Sequence, residues 1–263
     1  LADDESDAGA MVGLARNMMD RGQYDEAEKQ LLTAIKMRED YPASYRILLQ
    51  VYDKKGETNN AIDAAIEYVD KDSDPSWRLL INAGKKNLNY AVANMRAKMK
   101  SSDKPIYWRA LIAELYYSAG KYELALMENI KLEEEAGKDD RLYTRKAECY
   151  RHLGMHEAAI AELDQVLVKE GDWNAYCERG ICYRLLGKFD QAIEDFTAAI
   201  EEDPRFAFPY YSRGWCYELT GRDELALEDY NLGIDIDPDY PYIFHERGLV
   251  LKKIGRLDDA RAE

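Results

Sequence analysis

Long apolar runs are missing from this sequence. Its unbroken hydrophobic stretches reach only a few residues, far short of the ~20 that a membrane-spanning helix requires. Proline is scarce, at 7 of 263 residues, while tyrosine reaches 20. That balance disfavours a turn-rich β-sandwich and suits helices packed through amphipathic aromatic side chains. Positive charge is in deficit. With 36 Lys and Arg against 51 Asp and Glu, the net charge of −15 repels phosphate backbones, so no nucleic-acid partner is expected. Hydrophobic residues still make up 46% of the chain, enough to bury a continuous core.

Catalytic signatures are absent too. No glycine-rich phosphate loop, Gly-x-Ser-x-Gly elbow or His-Glu-x-x-His motif occurs. Of the three histidines, His152 and His156 have the spacing of two ligands on one helix, but Gly154 between them ends that helix. They read as exposed turn residues, so neither an enzyme, a metal site nor a cofactor is expected. The chain opens on Leu1 with no charged-then-apolar segment before it, as a processed chain or a fragment would. Residues 1–7, acidic and without a helix cap, read as a tail or linker.

What the sequence does contain is a period. Glycines stand at Gly22, Gly56, Gly120, Gly154, Gly187, Gly221 and Gly255, separated by 34, 64, 34, 33, 34 and 34 residues. Five residues after each comes an alanine: Ala27, Ala61, Ala125, Ala159, Ala192, Ala226 and Ala260, with Ala91 dividing the long interval. Each unit reads as two helices. Over 173–206, Tyr176, Gly180 and Tyr183 share one helical face and Gly187 ends the helix. Ala192, Phe196 and Ala199 then form a second apolar stripe, and Pro204 stops it. Gly180 and Ala192 let the two helices approach, and Tyr183 and Phe196 fill the space beside them. Neither helix buries its stripe alone, so an all-α stack of hairpins is expected.

A polar pattern supports the register. Arg179 and Arg213 each precede an aspartate, Asp195 and Asp229, by sixteen residues, and Arg247 precedes Glu263 likewise. Ion pairs across each hairpin seam follow. Cys149, Cys182 and Cys216 recur at one place in successive units. Equivalent helices lie about 8–10 Å apart, beyond the ~7 Å Cα separation of a disulfide, so these are small core residues. Free thiols slightly favour a cytoplasmic setting; a periplasmic or secreted one stays open, because any segment ahead of Leu1 is not part of the sequence.

The order aromatic, Gly, Tyr, Gly, Ala, Phe, Ala, Pro in Trp173–Phe206 resembles the tetratricopeptide repeat family. So does Tyr210, Gly214, Tyr217, Gly221, Ala226, Tyr230, Gly233, Pro238 in Ala207–Tyr240. The resemblance implies a right-handed α-solenoid of about seven units and a truncated eighth. Units at 8–41, 42–75, 106–139 and 140–172 match more loosely. Residues 76–105 are short and degenerate, with Lys98 where a small residue is expected, and read as a drifted repeat or a hinge between 1–75 and 106–263. The last unit, 241–263, lacks a polar capping helix.

By the same resemblance the first helices line a concave groove that holds a protein or peptide. The residues placed there include Tyr107, Tyr117, Arg141, Arg151, Arg184, Phe208, Tyr211, Trp215, Tyr242 and His245, with Arg46, Gln50, Glu114, Thr144 and Glu148 beside them. Phe208, Tyr211, Trp215, Tyr242 and His245 would form an aromatic wall; the competing reading packs Tyr211 and Trp215 on the next repeat. Arg141, Arg151 and Arg184 would add a basic stripe, diluted by Glu114 and Glu148. Cys177 and Ile181, or Tyr211 and Trp215, stand where chaperone-tail-binding members carry lysine and asparagine, which disfavours that role. The expected function is a protein-interaction scaffold. Its rivals are a recruiting region of a larger enzyme and self-assembly, as a homo-oligomer, through the C-terminal end.

Overall fold

The computed structural model describes residues 2–39, 41–71, 77–168 and 171–256. Among these residues the chain forms fifteen α-helices and no strand, seven consecutive pairs and the first helix of an eighth. It divides into two compact units, residues 1–135 and 136–263. The first holds α1 (Ala2–Asp20), α2 (Tyr24–Met37), α3 (Pro42–Lys55), α4 (Thr58–Lys71), α5 (Trp77–Lys86), α6 (Leu88–Ser101), α7 (Pro105–Ser118) and α8 (Tyr122–Ala136). The second holds α9 (Asp140–His152), α10 (His156–Leu167), α11 (Trp173–Leu185), α12 (Phe189–Glu202), α13 (Ala207–Leu219), α14 (Asp223–Ile236) and α15 (Ile243–Lys253).

The seven turn glycines all carry φ between 70 and 83°, the left-handed region that strains any residue with a Cβ. In the turn at Gly187 the next amide, Lys188 N, donates to Tyr183 O at 2.9 Å and satisfies a carbonyl the helix end leaves free. The alanines that follow sit in the seams: Ala27, Ala91, Ala125, Ala159, Ala192 and Ala226 are fully buried, and Ala61 nearly so; Ala260 lies outside the described residues. A Cβ added at Gly180 would fall 2.9 Å from Phe196 Cε1, and one at Gly214 2.8 Å from Tyr230 Cε1. Gly180 and Gly214 are therefore slots for buried rings of their second helices.

Three expectations need correction. Residues 2–7 belong to α1 rather than to a tail; the positive end of a helix tolerates acidic residues, so an acidic opening is no sign of a linker. The chain does not divide at 76–105, which lies inside the first unit. α5 is only ten residues long and joins α6 through Asn87 alone, so the missing residues come from the last turn of the first helix. The seam survives: a Cβ on Gly84 would lie 3.1 Å from Ala91 Cβ. Lys98 meets Asp70 at 2.7 Å rather than a close backbone. Finally, His156 is half-buried, its Nδ1 without a hydrogen-bond partner; His152 at the end of α9 is exposed.

The arginines do more than the sixteen-residue spacing implies. Arg179 grips both oxygens of Asp195 at 2.7 and 2.9 Å, and Arg213 does the same to Asp229 at 2.7 and 2.8 Å. Each also reaches back to the preceding hairpin: Arg179 to Asp164 at 2.7 Å, Arg213 to Thr197 at 3.0 Å, and Arg247 to Asn231 at 2.8 Å. One planar fork thus joins two hairpins, which a point-like ammonium does not do as well. Glu263, the expected partner of Arg247, lies outside the described residues.

Candidate functional site

In the second unit the first helices α9, α11, α13 and α15 lie side by side, each touching the next. That places the outward residues of α11, α13 and α15 on one face. Trp215 of α13 is half-buried there. The Arg184 guanidinium, from the last turn of α11, stacks on its indole with the central carbon 4.0 Å from the ring centroid. Tyr211 lies 6.0 Å from Trp215, one helical turn away.

The segment between α14 and α15 completes the cluster. Asp237 ends α14, and its carboxylate accepts from the amide of Asp239 at 3.1 Å, a turn that Pro238 favours. This brings Tyr240 within 5.6 Å of Tyr211 and Tyr242 within 6.2 Å. Tyr242 is 61% exposed. Leu185 and Leu219, at the ends of α11 and α13, are exposed as well. Centroid separations of 5.6–6.2 Å with tilted planes are favourable aromatic geometry.

Burial governs the electrostatics. The Tyr211 hydroxyl is pushed up to about 12 by burial and then by the Glu246 carboxylate. Arg184 is pushed down by burial, the sign expected when a cation loses water without gaining an anion. The thiols of Cys177 and Cys182 rise to about 12 and that of Cys216 to about 11, again through burial first. All four cysteines are free and buried, and buried thiols of this kind are chemically inert.

The remaining expected site residues fall elsewhere. Phe208 is half-buried and meets Phe196 edge-on at 6.5 Å, packed with the core around Ala192 and Cys216. Tyr211 both touches the core of α13–α15 and belongs to the wall, so the two readings of it coexist. His245 and Arg141 are exposed. Arg151 is committed to Glu178 at 2.8 Å. In the first unit, Tyr107 is 38% exposed and sits edge-on to the buried Trp108, and Tyr117 meets Tyr122 at 5.5 Å. Arg46 and Gln50 help to line a separate pocket of about 210 Å³ among α3, α4 and α5. Tyr240 was not foreseen; its signal was the Tyr-Pro-Tyr run between two helices. Among the described residues no group of three His, Cys, Asp or Glu side chains is placed to hold a metal ion, and no helix is long and apolar enough to cross a membrane.

Antiparallel helix pairs repeated along the chain, with small residues at their seams, define a helical-repeat solenoid. Family profiles described as tetratricopeptide repeat match residues 12–76, 140–167 and 173–206, and one described as TPR repeat matches 217–255. Together these cover more than half of the sequence. The chain belongs to the tetratricopeptide repeat family, whose arrays serve as protein-interaction scaffolds. A comparison with curated protein sequences finds no match. Among solved structures, a tetratricopeptide repeat protein from Parabacteroides merdae ATCC 43184 is similar over 94% of this chain and 99% of its own, at 16% identity and TM-score 0.55. MamA is similar over 57% and 89%, at 22% identity and TM-score 0.53. YrrB, described as a TPR protein with an unusual peptide-binding site, is similar over 82% and 97%, at 19% identity and TM-score 0.50. At such identities the likeness is one of fold.

Proposed function

We propose that this protein is a non-catalytic scaffold that binds a peptide segment of a partner protein against the first-helix face of its second unit. Trp215, Tyr211 and Tyr242 form the centre of that face, with Arg184 beside them and Arg141 and His245 as outlying contacts. The observation that carries the reading is the aromatic cluster itself. A tyrosine left 61% exposed and joined through Tyr211 to a half-buried tryptophan, with exposed leucines at the ends of α11 and α13, is an anchor surface of the kind that dominates interfaces. The first-helix surface of the repeat and a structural neighbour described by its peptide-binding site both support it. Tyr107 and Tyr117 in the first unit are proposed as secondary contacts.

The test is selection of peptides from a displayed random library on the intact chain, followed by titration of the selected peptides. Tyr242→Ala and Trp215→Ala should each weaken binding at least about tenfold, the usual scale of an anchor residue, and leave far-UV circular dichroism unchanged. Undiminished binding by both variants would refute the proposed face.

A further inference from the structure

Several arginines of the second unit are committed to carboxylates. Arg151 pairs with Glu178, Arg179 with Asp164 and Asp195, Arg213 with Asp229 and Arg222 with Asp190. Arg184 differs. Its Nε is buried with no hydrogen-bond partner. The groups acting on it electrostatically are the Cys216 thiol and the Tyr211 hydroxyl, and both are neutral at pH 7 because each holds its proton to about pH 11 or 12. Its guanidinium lies against the face of Trp215. Glu246 acts on Tyr211.

Removing a guanidinium from water without an anion is unfavourable, and partly buried arginines are therefore normally paired. In a chain with 51 acidic residues, the lack of one here needs an explanation. The indole stack holds the fork flat and pre-oriented, while the residue as a whole stays only half-buried. A planar cation held in place, unneutralised and bordered by aromatic rings is complementary to a carboxylate with an apolar neighbour.

We propose that Arg184 is the specificity-determining residue of this face, and that the partner is a peptide segment presenting one Asp or Glu side chain, seated on Arg184, beside an apolar side chain that packs on Trp215, Tyr211 and Tyr242. This rests on the reading of that face as a peptide site. The net charge of −15 sets a limit on the partner. It repels a strongly acidic segment at long range, so the recognised carboxylate is single and its flanks are neutral or basic.

The test uses the intact chain and pools of octapeptides, acetylated and amidated so that neither end carries charge. Each pool has neutral and apolar residues around one fixed central residue, Glu, Gln or Lys, and is titrated by fluorescence polarisation. The Glu pool should bind at least about tenfold more tightly than the Gln pool, the scale of a hydrogen bond to a charged group, with the Lys pool weakest. Arg184→Gln should erase the difference, and Arg184→Lys should restore part of it. Equal binding of the Glu and Gln pools by the native chain overturns the proposal, and so does an undiminished Glu preference in Arg184→Gln. Should a variant fail to fold, the comparison of pools on the native chain still decides. If that preference is missing but Trp215→Ala weakens binding of the Gln pool, the carboxylate reading falls and the aromatic face stands. If no pool binds, both fall.

Discussion

Gly214 tests whether hairpin seams are set by a ring fitting over a missing side chain. An alanine there would place its Cβ 2.8 Å from Cε1 and 3.0 Å from Cδ1 of Tyr230, and 3.3 Å from the Ala226 carbonyl oxygen. Comfortable carbon contacts are about 3.5–4.0 Å, so the ring would have to retreat by about 0.7 Å. Tyr230 is fully buried and its hydroxyl bonds to Glu218 at 3.2 Å, which leaves the ring little room. Overpacking of this kind costs about 1–3 kcal/mol, while replacing a mid-helix glycine by alanine returns about 1 kcal/mol of helix propensity. Gly13 in α1 supplies the control, since it is exposed and a Cβ there would meet nothing within 4 Å. Gly13→Ala should stabilise by up to about 1 kcal/mol and Gly214→Ala should destabilise. In the difference between the two the propensity gain cancels and the overpacking cost remains. Helical arrays can unfold in stages, so urea titration by circular dichroism should be joined to hydrogen exchange of the α13 and α1 amides. Tyr230→Leu in the Gly214→Ala background should recover part of the loss, as coupled neighbours do. Equal stabilisation by both glycine replacements would refute the ring-in-slot account.

Removing Arg213 while keeping Asp229, which is nearly buried, should cost about 3–5 kcal/mol. Arg213→Met with Asp229→Leu should recover much of it in a urea-unfolding double-mutant cycle. Cys177, Cys182 and Cys216 should resist iodoacetamide at pH 8 in the native protein and react fully in urea, as mass spectrometry would read; rapid native labelling would contradict their burial. Tyr211 gives an alkaline signature. Unfolded it loses its proton near pH 10, folded at about 12, so between those values the folded state holds more protons and stability falls as pH rises. Tyr211→Phe should flatten that fall relative to the native chain, measured as urea midpoints from pH 9.5 to 11.5.

Much of the architecture was legible because a repeat writes the same contact many times. Turn glycines at a recurring interval, each followed five residues later by an alanine, name a helix end and a seam without any long-range information. The short unit was harder to read. Shortening a helix by a turn looks, in one dimension, the same as loss of a hinge-free packing surface, yet Gly84 and Ala91 keep their contact because the residues are lost beyond the seam. The face proposed for binding was legible only in outline. Phe208 and Tyr211 are both aromatic residues near the start of α13, and the sequence could not tell that one turns to Phe196 and the other to Tyr242. Tyr240 escaped notice because a linker residue has no fixed helical phase.

Local chemistry along the chain determined the helices, their ends, the pairing of Arg179 and Arg213 within their own hairpins, and the absence of any catalytic motif. Each of these depends on residues close in sequence or repeated in register. Tertiary structure alone decided that Arg184 lies on the face of Trp215 while Arg151 pairs with a carboxylate. Arg151 and Arg184 look alike as residues of successive first helices. Only the placement of Glu178 beside the first, and of Trp215, Cys216 and Tyr211 around the second, tells the two apart. An ion pair between hairpins depends on where side chains from different repeats meet in space, and a thirty-four-residue period does not specify that.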